Sequence, residues 1–88
     1  MEQIARGYGV QTLIIKRSVV LDGVKTSVSL EEQFWDGLRE IADGENLTRS
    51  ALVSRIAHGQ ANSNLSSAIR VFVLTHFLER ERRQANSK

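Results

Sequence analysis

The dipeptide Asp22-Gly23 constrains the fold of this chain more tightly than any other pair of residues. Before it runs "LIIKRSVVL", residues 13–21, rich in β-branched side chains; after it comes the alternating run "VKTSVSL", residues 24–30. A type I′ turn needs positive φ at both central positions, and Asp-Gly accepts that geometry readily. The two runs therefore read as a hairpin over residues 13–30. A two-residue turn also fixes the register: Val20 opposite Lys25, Ser18 opposite Ser27 and Lys16 opposite Ser29. Side chains alternate across a strand, so one face gathers Lys16, Ser18, Lys25, Ser27 and Ser29. The other gathers Ile15, Val19, Leu21, Val24, Val28 and Leu30, interrupted by Arg17 and Thr26.

After Leu30 the apolar period lengthens to that of a helix. Leu30, Phe34, Leu38, Ile41 and Ala42 form one stripe, which predicts a first helix over residues 31–43. Two starts compete. Ser29-Leu30-Glu31-Glu32 has the form of a capping box, with Ser29 as N-cap. Alternatively Glu31 caps and Leu30 staples against Trp35, which leaves the Ser29 hydroxyl free. Gly44 suits the left-handed residue that ends a helix. A second helix is expected over residues 48–58, with Thr48 as N-cap and Leu47 and Leu52 as its hydrophobic staple. Its inner face is Leu52, Val53, Ile56 and Ala57, and Gly59 stops it. After the polar loop 60–64, a third helix is expected over residues 65–83. Leu65, Ile69, Phe72 and His76 share one side, extended by Val73 and Phe77. Val71, Leu74 and Leu78 lie on another. A helix apolar around so much of its circumference is usually buried on more than one side.

A single domain, residues 13–83, follows, between a flexible arm at 1–12 and a frayed tail at 84–88. With 88 residues and no cysteine, it has neither a large core nor a disulfide to stabilise it. A lone hairpin is marginal in water, and strand 24–30 would leave an open edge. Antiparallel pairing of that strand with its twin in a second copy would close the edge and cover the third helix. The expectation is a two-fold homodimer. The formal charge of +2 permits nucleic-acid binding without demanding it. No cationic leader precedes an apolar run, and no apolar stretch is long enough to span a bilayer, so a cytoplasmic protein is expected.

The segment "KTSVSLEEQFWDGLREIADGENLTRSALVSRI", residues 25–56, resembles the ribbon-helix-helix DNA-binding proteins. "TSVSLEEQFW" followed by "LSSAIRVFVL" resembles a bacterial subgroup of them. The resemblance implies an α+β fold, ribbon-helix-helix, here with an N-terminal hairpin and a third C-terminal helix, as an intertwined two-fold dimer. It implies a β-ribbon in the major groove of double-stranded DNA and a role in transcription regulation. Carried over by position, Lys25, Ser27 and Ser29 become base readers. Thr48, Arg49 and Ser50, at the start of the second helix, become the phosphate clamp. The chain departs from the family in the shortness of its serine readers, in its extra first strand and in its long last helix.

The chemistry is compatible. A major groove admits a two-stranded ribbon; lysine donates to guanine O6 and N7, and serine donates or accepts. A helix N-terminus attracts anions, and Lys16 adds charge along the backbone. Arg17 carries less weight, because its register puts it on the core face. Plainer readings stand beside these. The polar strand face suits a solvated sheet surface, and Thr48 suits an ordinary cap. Trp35 reads as packing at the edge of the core. His58 and His76 have no partner at ligand spacing, so no metal is expected. Glu79-Arg80-Glu81-Arg82-Arg83 reads as a solvated helix end. No cofactor motif, nucleophile motif or phosphate-cradling glycine loop is present, so no enzyme is expected. Two other functions fit: a helix-turn-helix reading DNA with Arg49 and Ser50, and a dimeric adaptor or antitoxin-like module docking a protein through the third helix or the outer strand.

Overall fold

The structure is a computed structural model, described here for residues 12–59 and 64–86. The arm at 1–11 and most of the polar loop lie outside the described residues. Two antiparallel strands, β1 (Ile14–Leu21) and β2 (Val24–Glu31), are followed by three helices: α1 (Glu32–Gly44), α2 (Arg49–His58) and α3 (Leu65–Asn86). The architecture is α+β, a hairpin laid against three helices.

The turn follows the logic of its two residues. Asp22 has φ 53° and Gly23 φ 80°. The register is the expected one: Val20 faces Lys25, Ser18 faces Ser27, and Lys16 faces Ser29. One face of the hairpin meets the helices, and Val19, Val28 and Leu30 are buried there with Trp35, Leu38, Ile41, Leu52, Val53, Ile69 and Val73. Val24, expected on this core face, is 63% exposed. It pairs with Leu21 beside the turn, so it sits where the hairpin tip outruns the helices.

Of the two starts open to α1, the structure takes Glu31. Its backbone is extended, and no side chain caps the first turn. Ser29 remains a strand residue with an exposed side chain. Leu30 and Trp35 occupy the staple positions and are both buried. The end of α1 differs from expectation. Gly44 is still helical, and the left-handed residue is Asn46, with φ 57°. The Leu47 N–H donates to the Ala42 carbonyl and the Asn46 N–H to that of Asp43, a Schellman closure with asparagine in the strained place. Asparagine tolerates that conformation better than most residues, so the helix can run one residue longer.

Thr48 caps α2 by accepting from the Ala51 N–H at 3.0 Å. Asn64 caps α3 through the Ser67 N–H. α3 reaches Asn86, past the expected end at Arg83. It buries Ala68, Ile69 and Val73 and leaves Val71, Leu74 and Leu78 exposed. Gly37 explains how closely α1 and α3 approach. A methyl group on it would stand 2.8 Å from Val73 Cγ1 and 3.3 Å from Phe77 Cε2.

Each outer edge of the hairpin meets a helix. On β1, the Val20 N–H donates to Ser50 Oγ of α2 at 2.9 Å. On β2, Ser66 of α3 donates to the Ser29 carbonyl at 2.9 Å, and Arg70 bonds Glu31 at 2.8 Å. The edge that sequence logic left to a second copy is therefore engaged by α3 at its Ser29–Glu31 end.

Candidate nucleic-acid interface

Alternation along β1 and β2 turns one face of the hairpin away from the core. Lys16, Ser18, Lys25, Ser27 and Ser29 lie on it, and all are exposed. The face is less polar than β2 alone suggests. β1 adds Ile14 and Val20, 59% and 48% exposed. Lys16 stands opposite Ser29, among the candidate base readers. The Ser29 hydroxyl has no capping duty, so of the two roles open to it only the surface one remains available.

At the rim of this face lies the start of α2. Thr48 spends its side-chain acceptor on the cap, while the N–H groups of Arg49 and Ser50 have no intrahelical partner. Ser50 differs from the other candidates. Its Oγ accepts from the Val20 N–H, so the side chain fastens β1 to α2. Its hydroxyl hydrogen is still free to donate.

Arg49 rests on an aromatic ring. Its guanidinium carbon is 5.4 Å from the centroid of Trp35, and that of Arg17 is 5.7 Å from the same ring. The indole is 3% exposed, and its Nε1–H donates to the Ile15 carbonyl at 2.8 Å. Trp35 is thus more than edge packing: it ties α1 to β1 beneath two cations. Arg17 does lie on the core-facing side of β1, as its register requires, but it is exposed and its guanidinium lies over the same ring as that of Arg49. Sequence reasoning gave it little weight because alternation reports only which side a residue starts from. The available signal was Trp35 in the first turns of α1, which begins just past Leu30, the residue that pairs with Ile15 of β1.

The ionic pattern divides the molecule. Five arginines of the helices have a carboxylate within 4 Å: Arg39–Asp36, Arg55–Glu45, Arg70–Glu31, Arg80–Glu40 and Arg82–Glu79. Lys16, Arg17, Lys25 and Arg49 have none among the described residues, and the remaining unpaired cation is Arg83 near the end of α3. The Arg70 hydrogen bond holds the Glu31 carboxyl below its ordinary value of 4.5; its own backbone N–H adds to this, against a smaller opposing effect of burial. His58 bridges to Asp22 at 3.2 Å beside the turn. His76 lies between Phe72 and Phe77, edge-on to the latter. No cluster of histidine and acidic side chains able to hold a metal occurs among the described residues. No helix among them is long and apolar enough to cross a membrane.

Comparison with known proteins finds no significant match among curated proteins or among solved structures. A family does match, over residues 14–77, about three-quarters of the chain, and its description is "Ribbon-helix-helix domain". The match begins at the first residue of β1 and ends within α3, so it takes in the hairpin, the α1–α2 pair and the packed part of the last helix. On this evidence the chain belongs to the ribbon-helix-helix domain family.

Proposed function

We propose that this protein binds double-stranded DNA through the open face of its hairpin and regulates transcription, as a homodimer in the bacterial cytoplasm. Ribbon-helix-helix domains generally bind DNA as transcriptional regulators, typically as dimers and without enzymatic activity. One observation in this chain carries the reading furthest. Among the described residues its unpaired cations, Arg83 apart, gather on the hairpin and the first turn of α2, whereas Arg39, Arg55, Arg70, Arg80 and Arg82 of the helices each have an acidic neighbour. A surface that leaves cations unpaired draws a polyanion at low cost, and neutralised phosphates release counterions.

In this reading Lys25, Ser27 and Ser29 face the base edges. Lys16 joins them from β1, and Val20 offers an apolar contact of the kind a thymine methyl accepts. Thr48, Arg49 and Ser50 meet the backbone with the α2 N–H groups and one guanidinium. A helix-turn-helix reading is weaker. Ser50 Oγ is turned to β1 and Arg49 lies on Trp35, so neither leads into a groove ahead of the hairpin. Protein docking has one observation in its favour, the exposed stripe of Val71, Leu74 and Leu78 on α3. We assign that stripe to the second copy of the chain, because α3 already engages the other candidate surface, the β2 edge, near Ser29.

The test is a fluorescence-anisotropy titration of labelled random duplex at two salt concentrations, paired with a thermal melt. Wild-type binding should weaken steeply with salt. The Lys25→Ala/Ser27→Ala variant should bind about tenfold more weakly or worse, since about 1.4 kcal/mol is a factor of ten and each dimer loses every contact twice. Its melting temperature should stay close to wild type, because both changes are exposed. Undiminished binding by the folded double variant would show that another face reads DNA.

A further inference from the structure

We propose that Arg17 and Arg49 act as one two-pronged clamp for a single backbone phosphate of duplex DNA, with Trp35 as the platform that holds them. The inference rests on the DNA reading above and adds to it a residue that family position does not supply.

The platform is rigid for identifiable reasons. Trp35 is buried, and its indole nitrogen is tied to the Ile15 carbonyl, so the ring plane is fixed relative to β1. The two guanidiniums reach it from different elements, Arg17 from β1 and Arg49 from the first residue of α2. The link between the Val20 N–H and Ser50 Oγ holds those elements together next to the ring. Both guanidinium carbons lie within 6 Å of one centroid, so they stand no further apart than those two distances laid end to end. Neither has a carboxylate or hydrogen-bond partner among the described residues.

Two like charges gathered on one ring repel each other, and among the described residues no carboxylate pairs with either. The negative face of an indole offsets part of that repulsion and confines each planar group to the ring surface. Confinement leaves the forked N–H edges free, and those edges match the oxygens of a phosphate. Position selects the source of the phosphate. The pair flanks β1, beside a face that carries Lys16 and Lys25, neither with a partner among the described residues. A DNA strand bordering a groove filled by that face would pass along this flank. A free phosphate shares the chemistry but lacks the second set of contacts.

The experiment uses the full chain and two readouts. Trp35 is the sole tryptophan, so its emission reports on the clamp alone. Labelled duplex is titrated by anisotropy and by tryptophan emission, against wild type, Arg17→Gln, Arg49→Gln and the double variant. A separate titration uses inorganic phosphate. Saturating duplex should shift the emission of wild type and leave that of the double variant unmoved. Each single variant should bind roughly three- to tenfold more weakly, as for loss of one charge-assisted contact. The double variant should lose less than the two single losses combined, since groups that share one ligand are not additive. Arg17→Lys, which keeps the charge but not the fork, should recover only part of the loss. Thermal melts identify any variant that is not folded, and Arg17→Lys then stands in for Arg17→Gln.

Duplex binding that ignores Arg17→Gln, or that leaves Trp35 emission unchanged, would overturn the clamp while the DNA reading stands. Full additivity of the two losses would mean separate contacts and would also overturn it. An equal emission shift with inorganic phosphate at the concentration where duplex saturates would move the site to free phosphate. Failure of wild type to bind duplex at low salt, by anisotropy, would remove the DNA reading and the clamp together.

Discussion

The hairpin end and the helical end of this molecule treat charge in opposite ways. Around α1 and α3, all but Arg83 of the arginines find acids within the protein: Arg39 and Arg82 locally, Arg70 at Glu31 and Arg80 across the two helices to Glu40. Around β1, β2 and the start of α2, Lys16, Arg17, Lys25 and Arg49 find none among the described residues. Exposed ion pairs are worth little to stability, commonly about 0–1 kcal/mol, so folding alone does not explain the contrast. Neutralising one end while leaving the other positive creates a direction in an otherwise weakly charged chain. The ends also differ in apolar exposure. The open hairpin face scatters Ile14 and Val20 among polar residues, whereas α3 lines up Val71, Leu74 and Leu78. On the reading proposed above, one end suits a polyanion and the other suits an apolar surface.

The largest expected effect tests the helical end. Leu74→Asp places a charge in the middle of the α3 stripe. Burial of one leucine is worth about 1.5–3 kcal/mol and counts twice across a two-fold interface. Sedimentation should find wild type as a dimer and the variant as a monomer at the same micromolar concentration. Unfolding of wild type should depend on protein concentration, as it must when assembly and folding are coupled. A dimeric Leu74→Asp protein would return the interface to the β2 edge. The salt dependence of DNA binding, counted per bound chain, should survive this change if the two ends divide the work.

The next effect falls between the helices. Gly37→Ala drives a methyl group into Val73 Cγ1, a buried branched side chain with little freedom to yield. Overpacking of this kind costs about 1–3 kcal/mol. In a domain of this size that lowers the melting temperature by roughly 4–8 °C per kcal/mol. DNA affinity of the folded protein should not change. A loss of affinity with unchanged stability would mean that the hairpin face is positioned by the α1–α3 contact.

The smallest effect concerns the joint between the two ends. Arg70 of α3 holds the carboxyl of Glu31, the last residue of β2, below its ordinary value of 4.5. A carboxyl depressed in the folded state adds stability above its unfolded value and loses it as pH falls through the folded one. Wild type should therefore lose stability below about pH 4.5. Glu31→Gln should show a flatter acid limb in thermal melts taken from neutral pH down to about pH 3. Identical limbs would mean that the bridge is as strong in the unfolded chain.

Much of this organisation was legible in the sequence, and the parts that were not share a cause. Asp22-Gly23 set the register because both turn residues require positive φ, and that requirement is local. Thr48 and its staple were readable for the same reason. Gly44 misled because glycine is the usual left-handed residue, yet Asn46 two positions on can adopt that conformation and lets α1 finish its turn. The candidate site was legible as a set of residue types on an exposed face. The engagement of Ser50 with Val20, of Ser66 with Ser29 and of Arg17 with Trp35 was not. Each joins residues many positions apart, and periodicity reports which face a side chain occupies without reporting what stands opposite.

The bond from the Val20 N–H to Ser50 Oγ has a consequence for how the molecule breathes. Along the outer edge of β1, the amides of Lys16 and Ser18 have no such partner among the described residues. Val20 is thus the place on that edge where solvent exchange must wait for α2 to move away. A hairpin lifting from the helices as a unit would expose that amide, whereas fraying from the Ile14 end would leave it covered. The free energy of detaching the hairpin is therefore accessible from one backbone proton, separately from the free energy of unfolding the whole chain.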